Sequence, residues 1–121
     1  MKKGKQLGSY TAKILSISVR EKGKIEINLE GDIEGLGQGF ATVTVTVGSK
    51  NGDYGYNGVA YTPSGETLTA LGEGGKYESI GTNRWATTGL LKGSDGSTMS
   101  EEGVFDMAAK TWSGKYFEMT D

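Results

Sequence analysis

The chain has 121 residues, a formal charge of −2 and an isoelectric point near 5.2, with no histidine, no cysteine and one proline. The missing cysteine excludes disulfides, thiolate nucleophiles and zinc–thiolate sites and suits a reducing cytoplasm, and the missing histidine removes the usual general base near neutral pH. The mild acidity argues against a nucleic-acid binder, which shows a basic face, and no apolar run approaches the ~20 residues needed to span a membrane as a helix.

Glycine is the outlier, at 21 of 121 residues, more than twice the about 7% of average usage. The length fits one domain over residues 1–121. Met1 to Gln6 is basic, and Gly8, Ser9 and Thr11 interrupt the apolar run that a signal peptide would need. Residues 1–6 therefore read as a flexible arm outside the fold.

Period-2 alternation dominates from there. In 9–19, Leu15, Ile17 and Val19 share a face. Glu21-Lys22-Gly23-Lys24 makes a tight turn into 24–33, where Ile25, Ile27 and Leu29 oppose Lys24, Glu26, Asn28 and Glu30. Residues 41–47 alternate threonine with Val43, Val45 and Val47, predicting three buried valines. Asn51-Gly52 is a type I′ hairpin signal, joining 40–48 to 53–62. Pro63-Ser64-Gly65 closes the next turn, and Asp95-Gly96 joins 84–92 to 97–108. Residues 110–113 lead into a last, aromatic strand at 112–119. Two segments, 64–72 and 101–109, fit a short helix or a strand. Strand is favoured in both, because a helix would place Gly103 in its interior and because hairpin turns flank both segments.

Seven to nine strands at hairpin spacing, with no long crossover, describe an all-β fold. The architecture expected is an antiparallel up-and-down closed barrel of about eight strands. Gly31, Gly39, Gly58, Gly89 and Gly103 lie inside the runs, where they let strands bend, and so favour a barrel over a sandwich. Gly35-Leu36-Gly37-Gln38-Gly39 and Gly72-Glu73-Gly74-Gly75 are not phosphate cradles, because strands rather than helix N-termini follow them.

The C-terminal half carries Gly72-Glu73-Gly74, Gly81-Thr82-Asn83-Arg84-Trp85, Gly89, Ser94-Asp95-Gly96, Glu102-Gly103, Asp106 and Trp112-Ser113-Gly114-Lys115. With this pattern of turn glycines and aromatics, residues 53–119 resemble small bacterial members of the allene oxide cyclase-like barrel superfamily. The resemblance implies an eight-stranded barrel with a central cavity. It also implies relatives that cyclise or isomerise apolar substrates, some of them oligomeric. The acidic and polar cavity pattern of the plant cyclases is not found on this chain, so fold and cavity are what the resemblance lends, not activity.

The candidate ligand-binding residues are Tyr54, Tyr56, Tyr61, Arg84, Trp85, Glu102, Asp106, Trp112 and Tyr116. Tyr54 and Tyr56 share a face, as do Trp112 and Tyr116. Aromatics plug small barrels and also line their cavities. Glu102 and Asp106 share a face, and Arg84 is placed to pair with either. That pair is a surface ion pair or, at a cavity mouth, a clamp on a polar ligand group. No catalytic residue is identified, and no metal or cofactor is expected. Glu26 and Glu30 lie about 13 Å apart along a strand, too far for a glycosidase pair.

The function expected is binding of a small apolar molecule in a central cavity of the ~300 Å³ ligand-pocket scale, with cyclisation or isomerisation as the attached chemistry. The alternative is a non-catalytic protein that forms homo-oligomers or docks a partner through a sheet edge. A carbohydrate-contacting module with an exposed Trp85 or Trp112 is the third reading.

Overall fold

The computed structural model describes residues 1–47 and 50–121. Eight strands follow one another: β1 (Lys2–Glu21), β2 (Lys24–Ile33), β3 (Gly37–Thr46), β4 (Asn51–Tyr61), β5 (Thr67–Gly81), β6 (Arg84–Gly93), β7 (Thr98–Asp106) and β8 (Thr111–Thr120). Each pairs antiparallel with its neighbours in sequence, and β1 pairs with β8 to close the barrel. Closure removes the free edges that an eight-stranded open sheet would expose along most of its length.

Register assigns the faces. Ile25 stands opposite Val45, Ile27 opposite Val43 and Leu29 opposite Ala41, and these side chains point inward. The alternate residues point outward and form ion pairs: Lys13 with Glu30 at 3.1 Å and Arg20 with Glu26 at 3.1 Å. The barrel is thus apolar within and charged without, the reverse of the lipid-facing band of a membrane barrel. No helix among the described residues is long and apolar enough to cross a membrane.

Both ambiguous segments are strand: residues 67–72 begin β5 and residues 101–106 end β7. Several details differ from expectation. Residues 2–6 are not an arm. They form the start of β1, with Lys2 opposite Thr120, Lys3 opposite Met119 and Gln6 opposite Phe117. The terminal strand closes the barrel, so its polar composition reflects an outer position and not disorder.

Asn51-Gly52 is not the hairpin turn. Both residues lie in β4, opposite Glu78 and Tyr77, and neither has a positive φ. The chain reverses between Thr46 and Asn51 instead; residue 48, the expected end of the preceding strand, lies outside the described residues. The tertiary reason sits at Gly52, where an added Cβ would lie 2.6 Å from the Tyr77 hydroxyl. The glycine serves a close side-chain approach in place of a left-handed turn. Gly65 and Gly96 do turn the chain, at φ values of 90° and 88°.

Ile17 and Val19 share a face, opposite Ile27 and Ile25, and a bulge precedes them at Leu15. The register moves from Ile14 opposite Leu29 to Ser16 opposite Asn28, so Leu15 is the inserted residue and Ile14 packs on the core. Pairing with β8 ends at Lys13 opposite Thr111. Beyond that point β1 is covered on one side only, and Val19 is left 77% exposed. Val47 lies past the end of β3 and is exposed rather than buried. Gly72 to Gly75 lies within β5, where the ladder to β6 jumps from Leu71–Lys92 to Lys76–Thr88.

Candidate functional site

The barrel interior divides along its axis. Towards the 107–110 turn it is plugged by aromatic and aliphatic side chains. Trp112 on β8 stacks on Phe105 of β7, with centroids 4.8 Å apart and planes 10° from parallel. Tyr10, Tyr54 and Tyr56 present their rings edgewise to the same indole at 5.3, 5.9 and 6.0 Å. These are the favourable geometries of ring quadrupoles. Ile27, Leu29 and Val43 complete the plug.

A single carboxylate sits against this cluster. Glu101 on β7 points inward between Met99 and Phe105 in the alternation of that strand, and it is 2% exposed. Three hydroxyls converge on it. Tyr10 donates to Oε1 at 2.7 Å, Thr87 donates to Oε1 at 2.9 Å, and Tyr54 donates to Oε2 in a short contact. Thr87 in turn accepts the Trp112 Nε1–H at 3.1 Å, so one hydroxyl uses both its proton and a lone pair.

Five strands supply this network, which is why spacing along the chain does not reveal it. Burial pushes the Glu101 carboxyl above the usual carboxylate range, while the three hydroxyl donors pull it back down. Burial, reinforced by the Glu101 charge, raises the Tyr10 and Tyr54 phenols far above normal. They remain neutral donors throughout the ordinary pH range.

Beyond Glu101, towards the loops at 34–36, 62–66 and 94–97, the interior opens into a cavity of about 130 Å³. Its walls are unusually small: Gly31, Ala41, Gly58, Ala60 and Ala70 all border it. Leu36, Leu68 and Ser97 stand at the loop end. In volume it falls short of the ~300 Å³ expected from the sequence. The aromatic plug occupies the rest of the interior. A cavity near 150 Å³ still accommodates a benzene-sized molecule.

Tyr56 borders both plug and cavity. Its hydroxyl lies where Gly58 lacks a side chain, only 2.2 Å from the position an added Cβ would take. Among the described residues no hydrogen bond engages this phenol, unlike those of Tyr10, Tyr54 and Tyr116. Burial, with a smaller contribution from the Glu101 charge, pushes its pKa up to about 12.

The nine residues expected at a ligand site separate into two groups. Tyr54, Tyr56, Trp85, Trp112 and Tyr116 point inward or pack on the core. Tyr116 borders the cavity and donates to the Glu34 carbonyl at 2.5 Å, fixing the 34–36 loop. Tyr61, Arg84, Glu102 and Asp106 do not belong to the site. Tyr61 is 53% exposed on the outer wall, edge-on to Phe40. Arg84 pairs with Asp106 at 3.6 Å and Glu102 with Lys3 at 2.7 Å, both at the surface. The Arg84–Asp106 contact is the surface ion pair that the sequence allowed, and the parity of β7 places Glu101, not Glu102, on the inward face with Phe105.

Tyr10, Thr87 and Glu101 were missed. Tyr10 carried a signal, since it alternates with Ala12 and Ile14 ahead of the bulge. Among the described residues no cluster of three or more acidic side chains is placed to hold a metal ion. No protein family, curated protein or solved structure matches this chain. The barrel and its interior therefore stand on their own geometry. They offer a partly open apolar cavity, several inward-facing phenols and one buried carboxyl whose pKa burial raises.

Proposed function

We propose that this protein binds a small apolar molecule inside its barrel. One observation carries the reading: a cavity of about 130 Å³, bordered by the small side chains of Ala41, Ala60 and Ala70, lies beside the aromatic plug of the barrel. The size restricts the ligand to a compact molecule of roughly benzene dimensions, smaller than the sequence suggested. The likeness to allene oxide cyclase-like barrels supports the same reading, and a cyclisation or isomerisation is the reaction it suggests. With histidine and cysteine absent, any such step falls to Tyr10, Tyr54, Tyr56 and Glu101. The lack of cysteine favours a reducing, cytoplasmic setting.

The test is a thermal-shift and NMR titration against compact hydrocarbons and monofunctional rings. A saturable ligand at 100 times its dissociation constant adds about 2.7 kcal/mol of stability. Failure of every compact ring to bind ends the reading.

A second reading, self-association, is favoured by one feature. Residues 15–21 of β1 have no partner on the β8 side, and Leu15, Ile17 and Val19 are exposed there. Such an edge pairs readily with the same edge of a second copy. Light scattering showing only monomer at high concentration dismisses it.

A further inference from the structure

We propose that the ligand of the barrel cavity is an uncharged molecule with one hydrogen-bond acceptor, such as a carbonyl oxygen on a compact ring, and that the Tyr56 hydroxyl reads that acceptor. This inference rests on the proposed binding function and names its chemistry.

Three observations support it. First, the phenols around the cavity are engaged with one exception. Glu101 accepts three hydroxyls, the Tyr10 and Tyr54 phenols donate to it, and Tyr116 donates to Glu34. Tyr56 alone among these phenols has no hydrogen-bond partner among the described residues. Its oxygen is not among the fully buried unpartnered atoms, of which Ser100 Oγ is the described example, so it is reachable from the cavity and free to donate to a ligand's acceptor.

Second, the position of the hydroxyl is built by a missing side chain. Gly58 faces the interior opposite Ala41 and Ala70, and any Cβ there would occupy the space of the Tyr56 oxygen. The phenol is thereby held at the cavity wall. Its edgewise contact with Trp112 fixes the ring from the other side.

Third, charge is disfavoured from both signs. No lysine or arginine borders the cavity, so an anionic ligand would be buried unpaired beside Glu101. Of the four acidic residues at the cavity, Glu101 is sealed beneath its three donors at 2% exposure, Glu30 pairs outward with Lys13, Asp95 accepts from Ser97 and Asp32 is exposed on the outer face, so a cation gains little. What remains is a neutral acceptor facing a neutral phenol, and the raised pKa of Tyr56 keeps that phenol a donor.

The experiment compares cyclohexanone with methylenecyclohexane, which has the same shape but carries a CH₂ group where the ketone has oxygen, and with cyclohexanecarboxylate. NMR titrations are run on the wild-type protein and on Tyr56→Phe, which keeps the ring and deletes the hydroxyl. We expect cyclohexanone to bind the wild-type protein about tenfold more tightly than the alkene. In Tyr56→Phe that preference should vanish, and the carboxylate should bind neither protein.

Equal binding of ketone and alkene to the wild-type protein overturns this inference and leaves the binding function standing. Binding of the carboxylate as tight as that of the ketone overturns it too, as does a ketone preference that survives Tyr56→Phe. Failure of all three probes removes both this inference and the binding function. The isostere pair on wild-type protein decides the matter even if Tyr56→Phe folds poorly.

Discussion

Glu101 is a carboxyl held almost out of solvent, at 2% exposure. Its three donors all need an acceptor, and its burial penalises the charge that accepts best. Desolvation is the larger effect, so the folded pKa lies above the unfolded value. The native state then holds a proton that the unfolded state has released. This contribution to stability is complete below the unfolded pKa and is lost as pH rises through the folded one. Urea titrations of wild type and Glu101→Gln should show the wild-type advantage shrinking as pH rises above the ordinary glutamate value of 4.5. An advantage that grows with pH would mean the hydroxyl donors outweigh desolvation. Gly103 makes a second prediction at this scale. An added Cβ would lie 2.1 Å from the Tyr10 hydroxyl and 2.7 Å from the Ser113 carbonyl. Gly103→Ala should therefore destabilise by about 1–3 kcal/mol in equilibrium unfolding, as overpacking that forces Tyr10 off Glu101. The in-strand position of Gly103 was legible in the sequence. The phenol packed against it was not, because Tyr10 lies 93 positions away along the chain.

At the scale of elements, β1 does two jobs. Up to Lys13 it seals the barrel against β8, and beyond the Leu15 bulge it runs on with one edge unpaired. Ile17 is 42% exposed on that extension. If two copies pair through it, Ile17→Lys should convert a dimer to a monomer in light scattering. The same substitution should move the melting temperature little, since surface changes seldom exceed about 0.5 kcal/mol. A dimer that persists in Ile17→Lys excludes this edge as the interface. The strands themselves were legible wherever alternation was strict, as in 24–30 and 41–45. Legibility failed where an element deviates from its period. The bulge at Leu15 brought Ile14 onto the core, and the Asn51-Gly52 pair mimicked a turn inside β4. A bulge leaves no mark on local composition, and Asn-Gly signals only the conformations it permits.

For the whole molecule, the decisive property is the uneven filling of the interior. Large rings crowd around Trp112, while Ala41, Ala60 and Ala70 help to leave a cavity in the other half. Ala70→Leu should fill part of the cavity. It is expected to stabilise the ligand-free protein by about 1 kcal/mol, because each buried methylene contributes roughly 0.8 kcal/mol and strain offsets part of the gain. The same variant should lose binding of compact rings in NMR titrations. A variant that still binds them with wild-type affinity would place the ligand elsewhere.

The sequence alone determined the class of fold. Alternation with period 2, closely spaced turns and in-strand glycines are local properties, and together they leave little besides a curled antiparallel sheet. It also determined that the interior carries no histidine or cysteine, which composition settles directly. Only the tertiary structure decided which acid lies inside, how large the cavity is and which phenol is left free. Each of these depends on strand parity and on contacts between residues far apart in the chain. A shift of one residue exchanges Glu101 for Glu102, and only the closed barrel fixes that choice.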